Sequence, residues 1–248
     1  MNIRNIWFIM KREFNGYFAT PVAYVFIIIF LLLTGFSTFY VGNFFQRGEA
    51  DLYPFFSMHP WLYILLIPAI SMRLWAEERK SGSIELLMTL PVSVFEAVIG
   101  KFLAAWAFTG LALFLNFPLW ITVNYLGNPD NGVIVASFLG SLLMAGGFLA
   151  IGSCISAITK NQVIAFVISL IISLVFVLSG YGIVIDFFSG WAPKTLVETV
   201  SSFSFLTHFD AISKGHTGKG KIEVVRHTRL GAAVETDTLQ PQIGRAHV

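Results

Sequence analysis

Long apolar runs separated by short polar connections dominate the chain. A helix needs about 20 mostly apolar residues to cross the hydrocarbon core of a bilayer. Five runs reach that length, and we expect each to form one transmembrane helix: residues 21–41, 55–75, 98–124, 133–158 and 162–185. The pattern therefore predicts an all-α membrane protein with one transmembrane domain, which we place at residues 21–215.

The first 20 residues show a different pattern, in which apolar positions recur at helical spacing. Those positions are Ile3, Ile6, Trp7, Met10 and Phe14. Such an amphipathic segment is typical of a helix that lies in the membrane interface. The same residues could instead extend the first span, but Gly16 and Pro21 favour a break between the two helices.

Two further segments follow the fifth span. Residues 186–215 are semi-apolar, and we interpret them as interfacial or re-entrant helices on the outer side of the membrane. Residues 216–248 are polar, basic and without periodicity, so we expect them to be disordered. The last seven residues look like a translated sequencing adapter, and we therefore expect this tail to be non-native.

The fourth run is rich in small residues, several of them four positions apart. The set that we single out for helix packing is Gly146, Ala150, Gly152 and Ser156. Small residues on one face let neighbouring backbones approach closely, because lipid provides no hydrophobic drive for helix association. This face could serve a dimer or gate interface, or ordinary packing within the subunit, and both interpretations stay open.

Composition agrees with a membrane protein. Hydrophobic residues make up 56% of the chain and charged residues 12%, whereas a soluble domain carries about 25% charged residues. The net charge of +2 is too small to indicate a nucleic-acid partner. Cys154 is the single cysteine, which excludes a disulfide framework, and we expect it to be a small buried packing residue.

The positions of the basic residues predict the orientation. Cytoplasmic loops of membrane proteins carry an excess of Lys and Arg. With a cytoplasmic N-terminus, Arg47 and Lys194 face outward in the membrane domain, and eight basic residues fall inside: Arg4, Lys11, Arg12, Arg73, Arg79, Lys80, Lys101 and Lys160. The opposite orientation would reverse that ratio, so we predict a multi-pass protein with its N-terminus in the cytoplasm.

The chain lacks the usual motifs of an enzyme or an ATPase. Neither Gly100-Lys101 nor Gly218-Lys219 has the glycine spacing of a phosphate-binding loop, and the five histidines show no metal-ligand spacing. We interpret His59 as a hydrogen-bonding residue at the membrane interface. The centres of the five predicted spans carry no ionisable residue, although ion-coupled carriers generally need one there. The energy for any pumping must therefore come from a partner.

The loop between the second and third predicted spans carries the most specific pattern. A charged cluster, Glu77 to Lys80, is followed by a glycine break at Gly82 and a short amphipathic helix, 84–90, that stops before Pro91. Glu85 lies in its first turn, where the helix dipole favours an acid. A short helix of this kind can dock in a groove of a partner, or it can pack on its own subunit.

At this point the residues resemble a known family. The run from Glu77 to Ser93, followed by Gly100-Lys101, is similar to the signature of ABC-2 type exporter permeases, in particular the gliding-motility-like and general multidrug-type bacterial members. Arg12-Glu13 in the N-terminal helix and the segment 17–21 before the first span also fit. The resemblance extends over about residues 1–215.

The resemblance implies a fold and a set of partners. These permeases have six spans, lie in the bacterial cytoplasmic (inner) membrane, form homodimers or heterodimers, and bind a separate ABC ATP-binding subunit. The helix 84–90 would be the coupling helix, seated in a cleft of that subunit, which also binds the ATP, so that the permease itself needs no cofactor and is not an enzyme. The implied coupling residues are Glu77, Glu78, Arg79, Lys80, Gly82, Ile84, Glu85, Leu86, Leu87, Leu90 and Pro91. The sixth span should follow Gly215, where this chain has its polar tail instead.

Two other classes of function stay open beside the exporter permease. One is an ATP-independent carrier or channel, against which the lack of ionisable residues at the span centres argues. The other is a membrane-bound enzyme such as a lipid-linked transferase, which would need clustered acids or histidines near one interface. Glu77 and Glu78 are followed directly by Arg79 and Lys80, so a charged docking face fits them better than a catalytic site. Lipids, hydrophobic drugs and lipid-linked polymers suit the apolar spans equally well as cargo.

Overall fold

The computed structural model describes residues 2–89, 92–179 and 209, and this part of the chain is helical without a β-strand. Its α-helices are α1 (Ile3–Phe18), α2 (Pro21–Phe36), α3 (Phe44–Arg47), α4 (Tyr53–Ser57), α5 (His59–Ser71), α6 (Ala76–Ser81), α7 (Ser83–Thr89), α8 (Val94–Phe114), α9 (Phe117–Leu126), α10 (Asn131–Ile158) and α11 (Gln162–Leu178). A π-helix, Ser37–Val41, continues α2. The predictions for residues 186–215 and 216–248 fall outside the described residues.

Three helical segments are long and apolar enough to cross a membrane: Pro21–Arg47, Val94–Leu126 and Asn131–Ile158. The helix α11 is equally apolar but 17 residues long where the described part ends. These segments match the first, third, fourth and fifth predicted spans in position. An all-helical architecture with three helices able to cross a membrane is therefore confirmed for the described residues, whereas the count of five spans stays a prediction.

The segment predicted as the second span is divided in the structure. Two helices, α4 and α5, meet at Met58, and α5 has 13 residues. Pro60 lies in the first turn of α5, where a missing N–H costs nothing, whereas Pro68 lies inside the helix. The helix α5 packs mainly against α10 and α11, and most of its side chains are buried. It therefore forms the centre of the bundle rather than part of its outer surface.

The third predicted span is also interrupted. The helix α8 ends at Phe114, and α9 begins at Phe117 with Pro118 in its first turn. The buried Asn116 side chain lies at this break, where it accepts a hydrogen bond from Thr34 of α2 and donates one to the Ala112 carbonyl. The break is thus fixed by polar contacts inside the bundle.

A separate N-terminal helix precedes the first span. The chain leaves the helical path at Ala19 and Thr20, and Pro21 begins α2. The helix α1 packs mainly along α8. A Cβ atom on Gly100 would lie 2.8 Å from the Cβ of Ile9, so that glycine allows the close approach of the two helices. That α1 lies in the membrane interface remains a prediction.

The start of α1 is also held to the start of α8. Glu96 accepts hydrogen bonds from the backbone N–H of Asn2 at 2.6 Å and from the side chain of Asn5 at 3.1 Å. The same carboxylate accepts a bond from the Ser93 N–H, and the Ser93 hydroxyl oxygen accepts one from the Glu96 N–H, which closes a capping box. The two helices α1 and α8 are therefore joined both at this end and at Gly100.

The small residues of α10 divide between two environments. A Cβ atom on Gly152 would lie 2.6 Å from the Cβ of Ser71 on α5, and Gly146 faces the indole ring of Trp106 on α8. Ser156 is fully buried, while Ala150 is exposed on the outside of the bundle. Three of the four predicted packing residues thus contact other helices of the same chain. A role in a dimer or gate interface stays a prediction.

The single cysteine was expected to be buried, and that prediction is wrong. Cys154 lies on α10 with its side chain exposed on the outside of the bundle. Its neighbours Gly152 and Ser156 face inward toward α5 and α6 instead. A small apolar side chain can occupy a lipid-facing position of a span as readily as a buried one, so an apolar run does not reveal which face a residue takes.

Candidate functional site

The predicted coupling loop forms two short helices at one end of the bundle. The helix α6 ends at Gly82, whose φ of +76° is the left-handed conformation that favours glycine, and α7 begins at the next residue. The glycine break and the short helix after it therefore appear where the sequence predicted them. Leu90 and Pro91 lie outside the described residues. The structure describes Leu86 and Leu87 as part of α7 without their side chains.

The start of α6 is fixed to the end of α10 by one buried hydroxyl group. The Oγ atom of Ser156 accepts hydrogen bonds from the backbone N–H groups of Trp75 and Ala76, each at 3.1 Å, and donates one to the Met72 carbonyl at 3.0 Å. The first N–H groups of a helix lack partners inside the helix. Ser156 supplies that partner from another span, which explains why a small polar residue stands there.

A second contact joins α6 to the same end of α10. The guanidinium group of Arg79 donates a hydrogen bond to the carbonyl oxygen of Ala157. The last carbonyl groups of a helix are unpaired, and a cation there also interacts favourably with the helix dipole. Arg79 therefore holds α6 to its own subunit.

Three charged side chains meet beside α6, and we call them the ionic cluster: Glu13, Glu78 and Lys101. The ammonium group of Lys101 lies 3.2 Å from Glu13 Oε2 and 2.7 Å from Glu78 Oε1. It also lies 5.4 Å from the centre of the Trp75 ring, within the range of a cation–π contact. The Lys101 side chain is 3% exposed, against 23% for Glu13 and 21% for Glu78. One lysine at the start of α8 thus joins α1 to α6.

The electrostatics of the ionic cluster favour the charged form of Glu13. Burial alone would raise the pKa of Glu13, but the charge of Lys101 and the hydrogen bonds from Arg12 and Lys101 outweigh it and hold that pKa below its ordinary value. Burial, and to a lesser degree the charge of Glu13, raises the pKa of the nearby Tyr17 hydroxyl. Glu78 Oε2 is buried and has no hydrogen-bond partner among the described residues.

A pocket of about 310 Å³ opens beside the ionic cluster. Its lining comprises Glu13, Gly16, Tyr17, Thr20, Arg73, Leu74, Glu77, Glu78 and Lys101. Arg73 and Glu77 form an ion pair at 3.0 Å on its rim. Within the described part of the chain, no group of three or more His, Cys, Asp or Glu side chains could hold a metal ion.

The remaining coupling residues differ in what they present to a partner. Lys80, Gly82 and Glu85 are exposed at the end of the bundle, whereas Ile84 is half-buried and packs against the core. The charged cluster of the loop is therefore divided in the structure. Glu78 and Arg79 hold α6 to its own subunit, whereas Lys80 is exposed, and its role in docking stays a prediction.

A polar group in the bundle interior escaped the sequence analysis. His59 is fully buried and makes a hydrogen bond, as predicted, but with another helix of the bundle; its position at the membrane interface stays a prediction. Its Nδ1 lies 2.8 Å from Ser141 Oγ, and Tyr63 Oη lies 2.7 Å from the same oxygen. We call these three residues the hydroxyl–imidazole cluster. They lie on α5 and α10, so sequence spacing could not show that they meet.

Comparison with known proteins agrees with this arrangement. The family model described as "ABC-2 family transporter protein" matches residues 52–221, which is more than half of the chain. The chain belongs to the ABC-2 transporter family. The match includes α4 to α11 and with them the coupling loop, the small-residue helix and the hydroxyl–imidazole cluster. The resemblance inferred from residues 77–101 is thereby confirmed.

One curated relative of this ABC-2 family chain is the heme exporter protein B of Paracoccus denitrificans (strain Pd 1222). It is 37% identical over 92 residues, which are 36% of this chain and 42% of the relative. The aligned part is thus less than half of the relative's length. The family and the apolar helices together identify the chain as a membrane subunit of an ABC transporter, a class that is generally non-catalytic and works with an ABC ATP-binding partner.

Proposed function

We propose that this chain is the permease subunit of an ATP-driven exporter in the bacterial cytoplasmic membrane. In this proposal the α6–α7 pair is the contact for a separate ATP-hydrolysing subunit, and the spans form the path of the substrate. The chain itself binds no ATP and catalyses no reaction. The full assembly is a homodimer or heterodimer of permeases with two ATPase subunits, embedded in membrane lipid.

The position of the α6–α7 pair is the observation that carries this proposal. The two helices are exposed at one end of the bundle, yet α6 is bonded to α10 through Ser156 and to α1 and α8 through Lys101. A force on α7 would therefore reach several spans. Such an arrangement suits a coupling element, because switching between discrete packings needs a rigid connection to the spans.

The distribution of charge supports a cytoplasmic position for this end. Four basic side chains make contacts at the end of the bundle that holds α6: Arg12, Arg73, Arg79 and Lys101. At the other end, in the segment between α2 and α4, Arg47 pairs with Glu49 and Asp51. Cytoplasmic ends of membrane proteins are enriched in Lys and Arg. We therefore place α1, α6 and α7 on the cytoplasmic side.

The proposed topology contains five spans in this chain. The second is formed by α4 and α5 together, and the fifth includes α11. A sixth span, as the family resemblance implies, would complete the domain. Heme is the cargo that the name of the Paracoccus relative suggests, so heme is the first substrate to test, beside lipids and hydrophobic drugs.

Co-purification with an ATPase tests the proposal. The full chain, affinity-tagged and extracted in mild detergent, should retain a vanadate-sensitive ATP-hydrolysing subunit. Reversing the exposed charges of the pair, Lys80→Glu with Glu85→Lys, should lower its yield by about tenfold, because charge reversal at a contact turns attraction into repulsion. Exposed positions are preferred to Ile84, whose replacement would disturb the core of the chain itself.

The matched control reverses two charges at the opposite end. Arg47 and Glu49 form an exposed ion pair, so Arg47→Glu with Glu49→Lys changes the same number of charges far from α7. This variant should retain the ATPase in full. An equal yield from the α6–α7 variant and from the control would contradict the proposed docking contact.

A second candidate function is an ATP-independent, proton-coupled carrier, which the buried His59 favours. An ionisable side chain inside a bundle is a site for a coupling ion by default. In that case no ATPase would be retained, and uptake of heme into liposomes would follow an imposed pH gradient. His59→Gln would abolish that uptake, whereas the charge reversal on α6–α7 would leave it unchanged.

A further inference from the structure

The ionic cluster stands at a joint between two parts of the bundle. On one side, α1 and α8 are packed together at Gly100 and bonded through Glu96 to Asn2 and Asn5. On the other side, the start of α6 is bonded to α10 through Ser156. Lys101 belongs to α8, and its shortest ionic contact is with Glu78 of α6, at 2.7 Å. This ion pair thus connects α6 to α8 directly, beside the packing of α8 on α10.

Stability alone is a weak reason for a buried lysine at this joint. A buried ion pair loses hydration energy that its attraction barely restores, and apolar side chains of similar volume often stabilise a fold as well or better. Lys101 is nevertheless almost completely buried, and it contacts two carboxylates from different helices. Such a shared cation can move together with one carboxylate and keep the other as a charge partner.

The surroundings of the ionic cluster leave room for such a shift. The pocket of about 310 Å³ is lined by Glu13, Glu78 and Lys101. Glu78 Oε2 is buried without a hydrogen-bond partner, so this carboxylate has an acceptor that the present arrangement does not use. Glu13 is held independently by Arg12 at 2.6 Å. The ion pair of Glu78 and Lys101 can therefore be displaced toward the pocket while Glu13 keeps the ammonium group paired.

We propose that Lys101 is the positioning residue through which movement of the α6–α7 pair reaches α1 and α8. Its bond to Glu78 transmits the displacement, and its bond to Glu13 makes α1 move with α8. This inference rests on the proposed function, in which a separate ATPase moves α7. It adds the specific ion pair through which that movement passes to the third span.

A charge-free ionic cluster is the variant that tests the inference. The triple substitution Lys101→Met, Glu13→Gln and Glu78→Gln removes one cation and two anions and keeps side-chain volumes close to the originals. It leaves no buried charge unpaired, so it should insert and fold. The control Arg47→Met with Glu49→Gln removes an exposed ion pair at the opposite end.

Two measurements are made on the permease–ATPase complex in lipid nanodiscs. The first is the yield of ATPase on co-purification, and the second is the rate of MgATP hydrolysis relative to the isolated ATPase. We expect the triple variant to retain the ATPase yield but to lose the permease-dependent change in hydrolysis rate by about tenfold, in line with typical coupling between distant sites. The control variant should match the unaltered chain in both measurements.

A labelling experiment separates transmission from a merely structural role. Thr20 lines the pocket, so Thr20→Cys in a Cys154→Ser background reports movement of α1 through its rate of reaction with a maleimide. With the ionic cluster intact, trapping the ATPase with vanadate should change that rate about tenfold. The triple variant should react at the same rate in both states, and Lys101→Arg alone should retain the change.

Each outcome bears on one of the two proposals. A triple variant with normal ATPase yield, normal hydrolysis and normal labelling would overturn the role of Lys101 and leave the proposed function intact. A folded triple variant that no longer retains the ATPase would show that the ionic cluster is needed for docking of the ATPase. That result would also overturn the proposed role of Lys101 in transmitting movement. Failure of the unaltered chain to retain any ATPase would overturn the proposed function, and this inference with it.

Discussion

Two polar groups in this bundle, the ionic cluster and the hydroxyl–imidazole cluster, differ in charge and in location. The ionic cluster lies at the end of the bundle, where its two carboxylates keep about a fifth of their side-chain surface exposed. The hydroxyl–imidazole cluster lies in the interior, where His59, Tyr63 and Ser141 are completely buried. A charge inside a bilayer needs partners and water, whereas a hydroxyl group needs one or two hydrogen bonds.

The consequence is that the two groups depend on their partners to different degrees. In the ionic cluster the loss of Lys101 would leave two carboxylates side by side. In the hydroxyl–imidazole cluster the loss of Ser141 would leave two neutral groups without a hydrogen bond. The predictions below compare the loss in free energy of unfolding when each cluster is broken. A larger loss for the hydroxyl–imidazole cluster would show that charge and location do not explain the difference.

The largest effect is expected for Lys101→Met. Removing one member of a buried ion pair leaves the other charge uncompensated, and here two carboxylates are left, so we expect a loss of about 3 kcal/mol in the free energy of unfolding. Chemical unfolding in mixed micelles measures it. Lys11→Met is the matched control, because Lys11 is exposed on the same helix as Glu13. Equal stability of the two variants would remove the argument for a buried cation.

The helices α5 and α10 also pack closely at Gly152, where the absence of a side chain lets Ser71 approach. We expect Gly152→Ala to cost about 2 kcal/mol, because a new Cβ atom would overlap Ser71 and force two packed helices apart. Gly35→Ala on α2 meets no atom within 4 Å and should be neutral or slightly stabilising. Thermal unfolding of both variants in the same detergent makes the comparison. A tolerated alanine at position 152 would mean that the helices do not touch there.

A smaller effect is expected for Ser141→Ala, which breaks the hydroxyl–imidazole cluster. Tyr63 and His59 would each lose the bond to Ser141 Oγ, and we expect a cost of about 1.5 kcal/mol. Ser137→Ala is the matched control on the same helix, because Ser137 Oγ is buried without a hydrogen-bond partner among the described residues. If both serine variants unfold at the same denaturant concentration, the hydrogen bonds of Ser141 contribute nothing measurable.

The sequence predicted some of these elements closely. The fourth span was expected at 133–158 and is found at Asn131–Ile158, two residues longer because Asp130 caps it by accepting bonds from the next N–H groups. The first span, the break before Pro21 and the glycine break at Gly82 also lie at their expected positions. These features depend on local patterns, which a single sequence contains in full.

The features that the sequence did not predict depend on contacts between distant residues. Lys101 was recognised as a charge near the start of the third span, but its partner Glu13 lies on another helix. His59 was placed at the interface because a histidine beside Pro60 resembles a span end. Its burial follows from the packing of α5 between α10 and α11. The family match supplied membership of the ABC-2 transporters, and the structure showed that these side chains lie together.

The smallest expected effect concerns pH and is specific to the ionic cluster. The pKa of Glu13 lies below its ordinary value of 4.5, with Lys101 as the main lowering cause against the opposing effect of burial. The unfolded chain therefore binds a proton to this carboxyl group more readily than the folded chain does. The stability that Glu13 contributes is present above its ordinary pKa and is lost as pH falls through the lowered pKa. Thermal unfolding of the unaltered chain and of Glu13→Gln, between about pH 3 and pH 6, should thus converge toward the acidic end.

The Lys101→Met background tests the cause of this dependence. Without the ammonium group, burial would no longer be outweighed by Lys101, so Glu13→Gln should then produce a much smaller difference in the pH profile. A difference of unchanged size in both backgrounds would assign the lowered pKa to Arg12, which also bonds Glu13. In that case Arg12 and not Lys101 would be the cause of the lowered pKa of Glu13. The negative charge of Glu13 would then be stabilised from within α1 rather than by the contact between α1 and α8.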